Sequence, residues 1–116
     1  MGTMGLPIPE TWKARVRAIL DSGDMKKRVI IRERARINWS DLFPSLFTSD
    51  LLSALSDALE DAELIGRQVF GMQEPGEIYE FIFTYTNRKV YAKINLCPDG
   101  KVIIYSAHRP LKGETL

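Results

Sequence analysis

The chain has 116 residues, about one domain's worth, and its 45% apolar and 27% charged residues exclude a multidomain, disordered or fibrous protein. Sixteen basic against fifteen acidic residues give a net charge of +1, one cysteine (Cys97) excludes an internal disulfide, and one histidine (His108) leaves a Cys/His zinc site short of ligands. With no apolar run long enough to span a bilayer and no signal-peptide pattern, a cytoplasmic, single-domain protein needing no metal or cofactor is expected.

Trp12, Val16, Ile19 and Leu20 recur at helical spacing, with Lys13, Arg15 and Arg17 off that stripe, which predicts a first helix over residues 9–21. Pro9 suits a first helical turn, and Gly23 can take the left-handed conformation that ends a helix. Residues 26–37 pull both ways, because Val29, Ile30 and Ile31 favour a strand while the Arg-Glu-Arg-Ala-Arg run suits a helix. A strand or extended arm is expected there, with Arg32, Arg34 and Arg36 on one parity. Trp39, Phe43, Leu46 and Phe47 form an aromatic patch broken by Pro44 and read as core. A second helix follows from Ser49, with Leu51, Leu55, Ala58, Leu59 and Ala62 at helical spacing, Thr48 or Ser49 as cap and Asp50 at its positive end. It should end by Gly66, with a short strand over residues 67–72.

Charge is blocked along these segments. Residues 13–36 carry nine basic and three acidic residues, a balance of +6, whereas residues 37–66 carry six acidic residues and no Lys or Arg. A basic face for a polyanion, mutual pairing of the blocks, and solvated faces all fit this pattern.

The last forty residues alternate with the period of strands and read as a three-stranded meander. Its turns fall at Asn87-Arg88 and at Pro98-Asp99-Gly100, where glycine can supply a positive φ. If Thr86 opposes Lys89 and Cys97 opposes Lys101, one face carries Tyr79, Phe81, Phe83, Tyr85, Val90, Ala92, Ile94, Leu96, Val102 and Ile104 and packs on the helices. The other carries Glu80, Ile82, Thr84, Tyr91, Lys93, Asn95, Ile103 and Tyr105, with Lys93 opposite Tyr105. The class is α+β, two helices from the N-terminal half packed on a C-terminal antiparallel sheet of three to five strands. Residues 1–6 and 112–116 are expected to be flexible ends.

No phosphate-cradling glycine loop, dinucleotide fingerprint or Gly-x-Ser-x-Gly elbow is present, and Glu80 stands alone on its sheet face, which disfavours a glycosidase-type carboxyl pair. Cys97, beside a turn, reads as a small hydrophobe. The chemistry gathers in Tyr105-Ser106-Ala107-His108-Arg109-Pro110, where a hydroxyl, a phenol, an imidazole that can move a proton near neutrality and a guanidinium meet at a strand end. Tyr91 and Lys93 on the neighbouring strand complete a set able to handle a phosphodiester. Strict alternation points His108 at the core, so a bulge or strand end near Ala107 must turn it outward.

Tyr79-Glu80-Phe81-Ile82-Phe83, Lys93-Ile94-Asn95-Leu96 and Ile104-Tyr105-Ser106-Ala107-His108, following helices in a domain of this size, resemble small toxins of toxin–antitoxin systems of the RelE/MqsR kind. These sit within the broader group of barnase-like and colicin-like ribonucleases. The resemblance implies a metal-independent endoribonuclease inhibited by a cognate antitoxin. His108 then matches the general acid/base, Lys93 and Arg109 the phosphate-binding cations, and Tyr91 or Tyr105 an auxiliary acid or stacking group, with Ser106 alongside. Arg32, Arg34 and Arg36 are expected to contact RNA. The alternative from another class is an inert interaction module, RNA-binding or regulatory within a toxin–antitoxin pair; the sequence leaves oligomeric state open, a homodimer included.

Overall fold

The computed structural model describes residues 5–22, 27–111 and 114. In chain order these form β1 (Leu6–Pro7), α1 (Glu10–Asp21), β2 (Val29–Ile31), α2 (Glu33–Leu42), α3 (Thr48–Glu60), β3 (Ile65–Val69), β4 (Glu77–Tyr85), β5 (Arg88–Leu96) and β6 (Val102–His108). The architecture is α+β, with one six-stranded sheet in the order β1-β3-β4-β5-β6-β2 and all three helices feeding the core on one side of it. The sheet is mixed rather than wholly antiparallel, because β2 runs parallel to β6. No helix among the described residues is long and apolar enough to cross a membrane.

Helix α1 begins at Glu10, with Pro9 just outside it at the cap, and buries Trp12, Val16, Ile19 and Leu20 as the stripe requires. Gly23, the expected terminator, lies outside the described residues. Lys13 departs from the expected solvated face. It is only 1% exposed, its ammonium donating to the Asp61 carbonyl at 2.7 Å and pairing with Glu10 at 3.0 Å. That carbonyl stands at the C-terminal end of α3, where unpaired carbonyls attract a cation, so the buried charge ties α1 to α3.

Residues 27–37, the described part of the expected arm, do not form a single strand. Only Val29–Ile31 extends, and at Arg32 the chain turns into α2. Helical spacing lets Ala35 and Trp39, four residues apart, both reach the core, whereas a strand would carry Glu33 and Ile37 inward with them, and both of those are exposed. The same spacing sends Arg32, Arg34 and Arg36 in different directions, so their expected common face does not exist. Trp39 packs at a tilt against Phe43 and Tyr85, but Phe47, expected in the same core patch, is 76% exposed at the cap of α3. There the Asp50 carboxylate accepts the Phe47 N–H at 2.7 Å, and the helix runs to Glu60, leaving Ala62 outside it.

The meander has the expected faces. Phe81, Phe83, Val90, Ala92, Ile94, Leu96, Val102 and Ile104 are buried beneath the helices, with Tyr79 and Tyr85 packed at their margin. The first turn is Thr86-Asn87, both at positive φ, so Lys89 faces Thr84 rather than Thr86; the two-residue displacement leaves every parity intact. Gly100 has φ +86° and closes the second turn, with Cys97 N–H donating to Lys101. Strand β3 spans residues 65–69 rather than 67–72, and it pairs with Leu6 and Pro7, so Leu6 belongs to the sheet and not to a loose end.

Lys13→Met would keep the volume of the side chain but leave the Asp61 carbonyl without its donor. A loss of about 1–3 kcal/mol in unfolding free energy is expected, the ordinary cost of an unsatisfied buried acceptor, read as a lower urea midpoint at unchanged slope.

Candidate functional site

The site forms on the sheet face turned away from the helices. Register sets Arg67 of β3 against Glu80 of β4, Glu80 against Lys93 of β5, and Lys93 against Ser106 of β6, one row across four strands. A second row runs Ile82, Tyr91, His108. Between them the β5/β6 register shifts: Ile94 pairs with Ile104 but Lys93 with Ser106, so Tyr105 is an extra residue and Lys93 does not oppose it. This bulge reverses the parity of everything after it. Ala107 turns into the core at 0% exposure, and Ser106 and His108 turn out beside Lys93 and Tyr91.

His108 lies flat on Tyr91, ring centres 4.9 Å apart and planes 22° from parallel. Its Nδ1 is 2.8 Å from the Arg109 carbonyl, which can only accept, so Nδ1 is the donor and the tautomer this contact selects has its lone pair at Nε2. The Glu114 carboxylate stands 4.0 Å from the same Nδ1. The Tyr91 hydroxyl donates to Glu80, whose other oxygen is 3.6 Å from Arg67. Burial first, then the Glu80 hydrogen bond and charge, push the Tyr91 phenol far above the ordinary tyrosine value. Tyr91 therefore remains a neutral donor and stacking surface, and no base at neutral pH. Lys93 is half-buried, and no carboxylate among the described residues lies within ion-pair distance of it.

Tyr105 belongs to a different group farther along the face. Its hydroxyl donates to Glu74 at 2.7 Å and accepts from Asn95 at 3.1 Å, while Asn95 also donates to the Pro75 carbonyl at 3.2 Å. Arg32 closes this group, 3.2 Å from Glu74 and over the Tyr105 ring. The Tyr105 hydroxyl, with help from Arg32, holds the Glu74 carboxyl below its usual range, and burial followed by Glu74 raises Tyr105. A side chain at Gly76, φ +142°, would strike the Asn95 amide, so the loop lies this close only as glycine. Tyr105 and Arg32 thus latch the β3–β4 loop over the sheet and do not join His108. Arg36, 3.9 Å from Glu33, lies apart as well.

At the end of β6 a cleft of about 670 Å³ opens beside α2, lined among others by Arg34, Arg88, His108 and Arg109. Of the residues expected to act, the structure gathers His108, Tyr91, Lys93 and Ser106, with Arg109 and Arg34 adjoining, and separates Tyr105, Arg32 and Arg36 from them. Glu80, set aside as a solitary carboxylate, proves to hold Tyr91. Its parity with Tyr91 and Lys93 was the available signal. Arg88 was hidden in a turn that ends one residue earlier than expected. Cys97 is buried, and that burial pushes its thiol up, away from nucleophilic use. Comparison with family models, with curated proteins and with solved structures finds no match to this chain.

The raised phenols give a sign that can be checked. A group whose folded pKa exceeds its unfolded value contributes stability in full below the unfolded value, near 10 for tyrosine, and loses it as pH climbs toward the folded value. Absorbance titration should show phenolate appearing later in the native chain than in urea, where all four tyrosines titrate together. In Tyr91→Phe the latest phase should lose amplitude. An unchanged late phase in that variant would contradict the buried Tyr91–Glu80 contact.

Proposed function

We propose that this chain is a metal-independent endoribonuclease of the small-toxin kind, cutting RNA by attack of a 2′-hydroxyl. The observation that supports it is the grouping of His108, Lys93 and Ser106 by the β6 bulge, with His108 stacked on Tyr91 and held at Nδ1 by the Arg109 carbonyl. In this reading Nε2 of His108 takes the 2′-OH proton and the 2′-oxygen bonds to phosphorus. The P–O5′ bond breaks, and the 5′-oxygen takes a proton from the Lys93 ammonium. The products are a 2′,3′-cyclic phosphate and a 5′-hydroxyl. Lys93 also neutralises the nonbridging oxygens, and Ser106 donates a hydrogen bond to one of them. Tyr91 holds the imidazole plane. A cognate antitoxin as inhibitor follows from the resemblance of the last two strands to that toxin group, and a cytoplasmic setting suits a chain whose one cysteine is free.

Labelled RNA incubated with the purified chain and excess chelator should be cut to ends bearing a cyclic phosphate. His108→Ala should lower the rate by about 10²–10⁴-fold, the range of a general acid/base, with melting temperature unchanged. Lys93→Ala should lower the rate while keeping the pH limb that His108→Ala removes. RNA bound but never cut by the wild-type chain would leave an RNA-binding module in place of the enzyme.

A further inference from the structure

Seven of the nine arginines fall into two populations. Arg17, Arg32, Arg36 and Arg67 each lie within ion-pair distance of a carboxylate, respectively Glu60, Glu74, Glu33 and Glu80. Arg34, Arg88 and Arg109 have no such partner among the described residues, and all three line one cleft at the end of β6. Arg15 and Arg28 are exposed and line no part of it. The three cleft arginines arrive from separate places: the first turn of α2, the first residue of β5 and the residue after β6. The single acid lining the cleft, Asp41, forms no ion pair with them among the described residues. Like charges crowded into one concavity repel, and a bound anion removes that repulsion. Guanidinium forks match phosphate oxygens in pairs, which suits arginine to this position better than lysine. Leu42, Pro44 and Leu111 supply an apolar wall in the same cleft, and its size, about 670 Å³, falls within the usual range of small-ligand sites. Phosphate beside an apolar surface is the chemistry of a nucleotide with its base unstacked, as single-stranded RNA presents it.

We propose that this cleft binds the stretch of single-stranded RNA next to the reacting phosphodiester, with Arg34, Arg88 and Arg109 on its phosphates and one base against Leu42, Pro44 and Leu111. This rests on the endoribonuclease reading for the word "reacting". The binding itself does not need cleavage, and His108 lines the cleft as well as the sheet face, so a strand lying in one continues onto the other.

His108 is the only histidine of the chain, so its two carbon-bound ring protons give unambiguous NMR signals at the mouth of the cleft. The full chain is titrated in three arms: inorganic phosphate, a mononucleotide, and a 2′-O-methyl oligonucleotide that cannot be cut by 2′-OH attack. The oligonucleotide should shift the His108 signals at a concentration at least tenfold below that of inorganic phosphate, with the mononucleotide between them. Arg34→Gln/Arg88→Gln should weaken oligonucleotide binding at least tenfold and flatten its salt dependence by roughly 0.7 in log–log slope for each phosphate no longer neutralised. Both side chains are exposed, so the fold should survive, which circular dichroism on the same sample checks. Inorganic phosphate binding as tightly as the oligonucleotide would overturn the strand assignment in favour of a free-phosphate site. Oligonucleotide affinity unchanged in the folded double variant would overturn the site altogether. Arginine-dependent binding without any RNA cleavage would sink the enzyme reading and leave the cleft standing, whereas cleavage with no arginine-dependent binding would do the reverse.

Discussion

One inserted residue, Tyr105, decides which side chains at the end of β6 share a sheet face with Lys93 and Tyr91. In an unbroken β6 the side chains after Ile104 would alternate so that Ser106 faced the core and His108 with it, both among apolar groups that offer no partner. The bulge opposes two residues of β6 to Lys93 alone, and the alternation restarts on the other side. Core packing favours the shift from below, since it is Ala107, opposite Ala92, that then enters the buried core in place of Ser106 and His108. Tyr105 enforces it from above through Glu74, Asn95 and the ring-to-guanidinium contact with Arg32. A local irregularity in one strand is thus held by contacts with three other segments.

The two faces of the sheet divide labour by charge. Helix α3, which carries Asp50, Asp57 and Glu60, lies on the covered face, so most of its acidic surface is removed from the row of Lys93 and His108. The basic stretch before it is dispersed instead of presented as a block. Lys13 is committed to the end of α3, Arg17 lies near Glu60, Arg32 latches a loop, and Arg34 alone of the three alternate arginines reaches the cleft. A balance of +6 in sequence therefore becomes several unrelated contacts in space, while the cluster of arginines at the β6 end that have no carboxylate partner among the described residues draws on Arg88 and Arg109 from other segments. Net charge and linear charge blocks carry little information about such a site; the ion-pair pattern carries more.

The sheet faces were legible because period-two alternation over nine-residue strands overdetermines parity, and even a turn misplaced by one residue left the faces of Phe81, Phe83, Val90 and Ala92 unchanged. The first and last helices were legible for the same reason at period 3.6. What failed was short or tertiary. β2 has three residues, too few to separate from the helix behind it by pattern, and it forms because β6 offers a parallel partner that local sequence does not announce. Lys13 looked solvated because no local rule reveals a carbonyl forty-eight positions away. His108 could be selected by its chemistry, and the need for a bulge followed from parity alone; that the extra residue is Tyr105, and that it diverts Arg32 along with it, depends on Glu74 and Asn95 from other segments.

The parallel pairing of β2 with β6 has a consequence for how the chain acquires its shape. Val29 to Ile31 meet Val102 to Ile104, residues about seventy positions apart, and the intervening chain includes every other strand of the sheet except β1. Closing so long a loop is entropically costly and slow compared with forming α1 or the β4–β5 hairpin. On a ribosome, β2 and the start of α2 have no sheet to join until β6 has emerged, and β6 is also the strand that carries Ser106 and His108. Completion of the sheet and alignment of Ser106 and His108 with Lys93 and Tyr91 therefore depend on the same strand, and a nascent chain halted before β6 has neither.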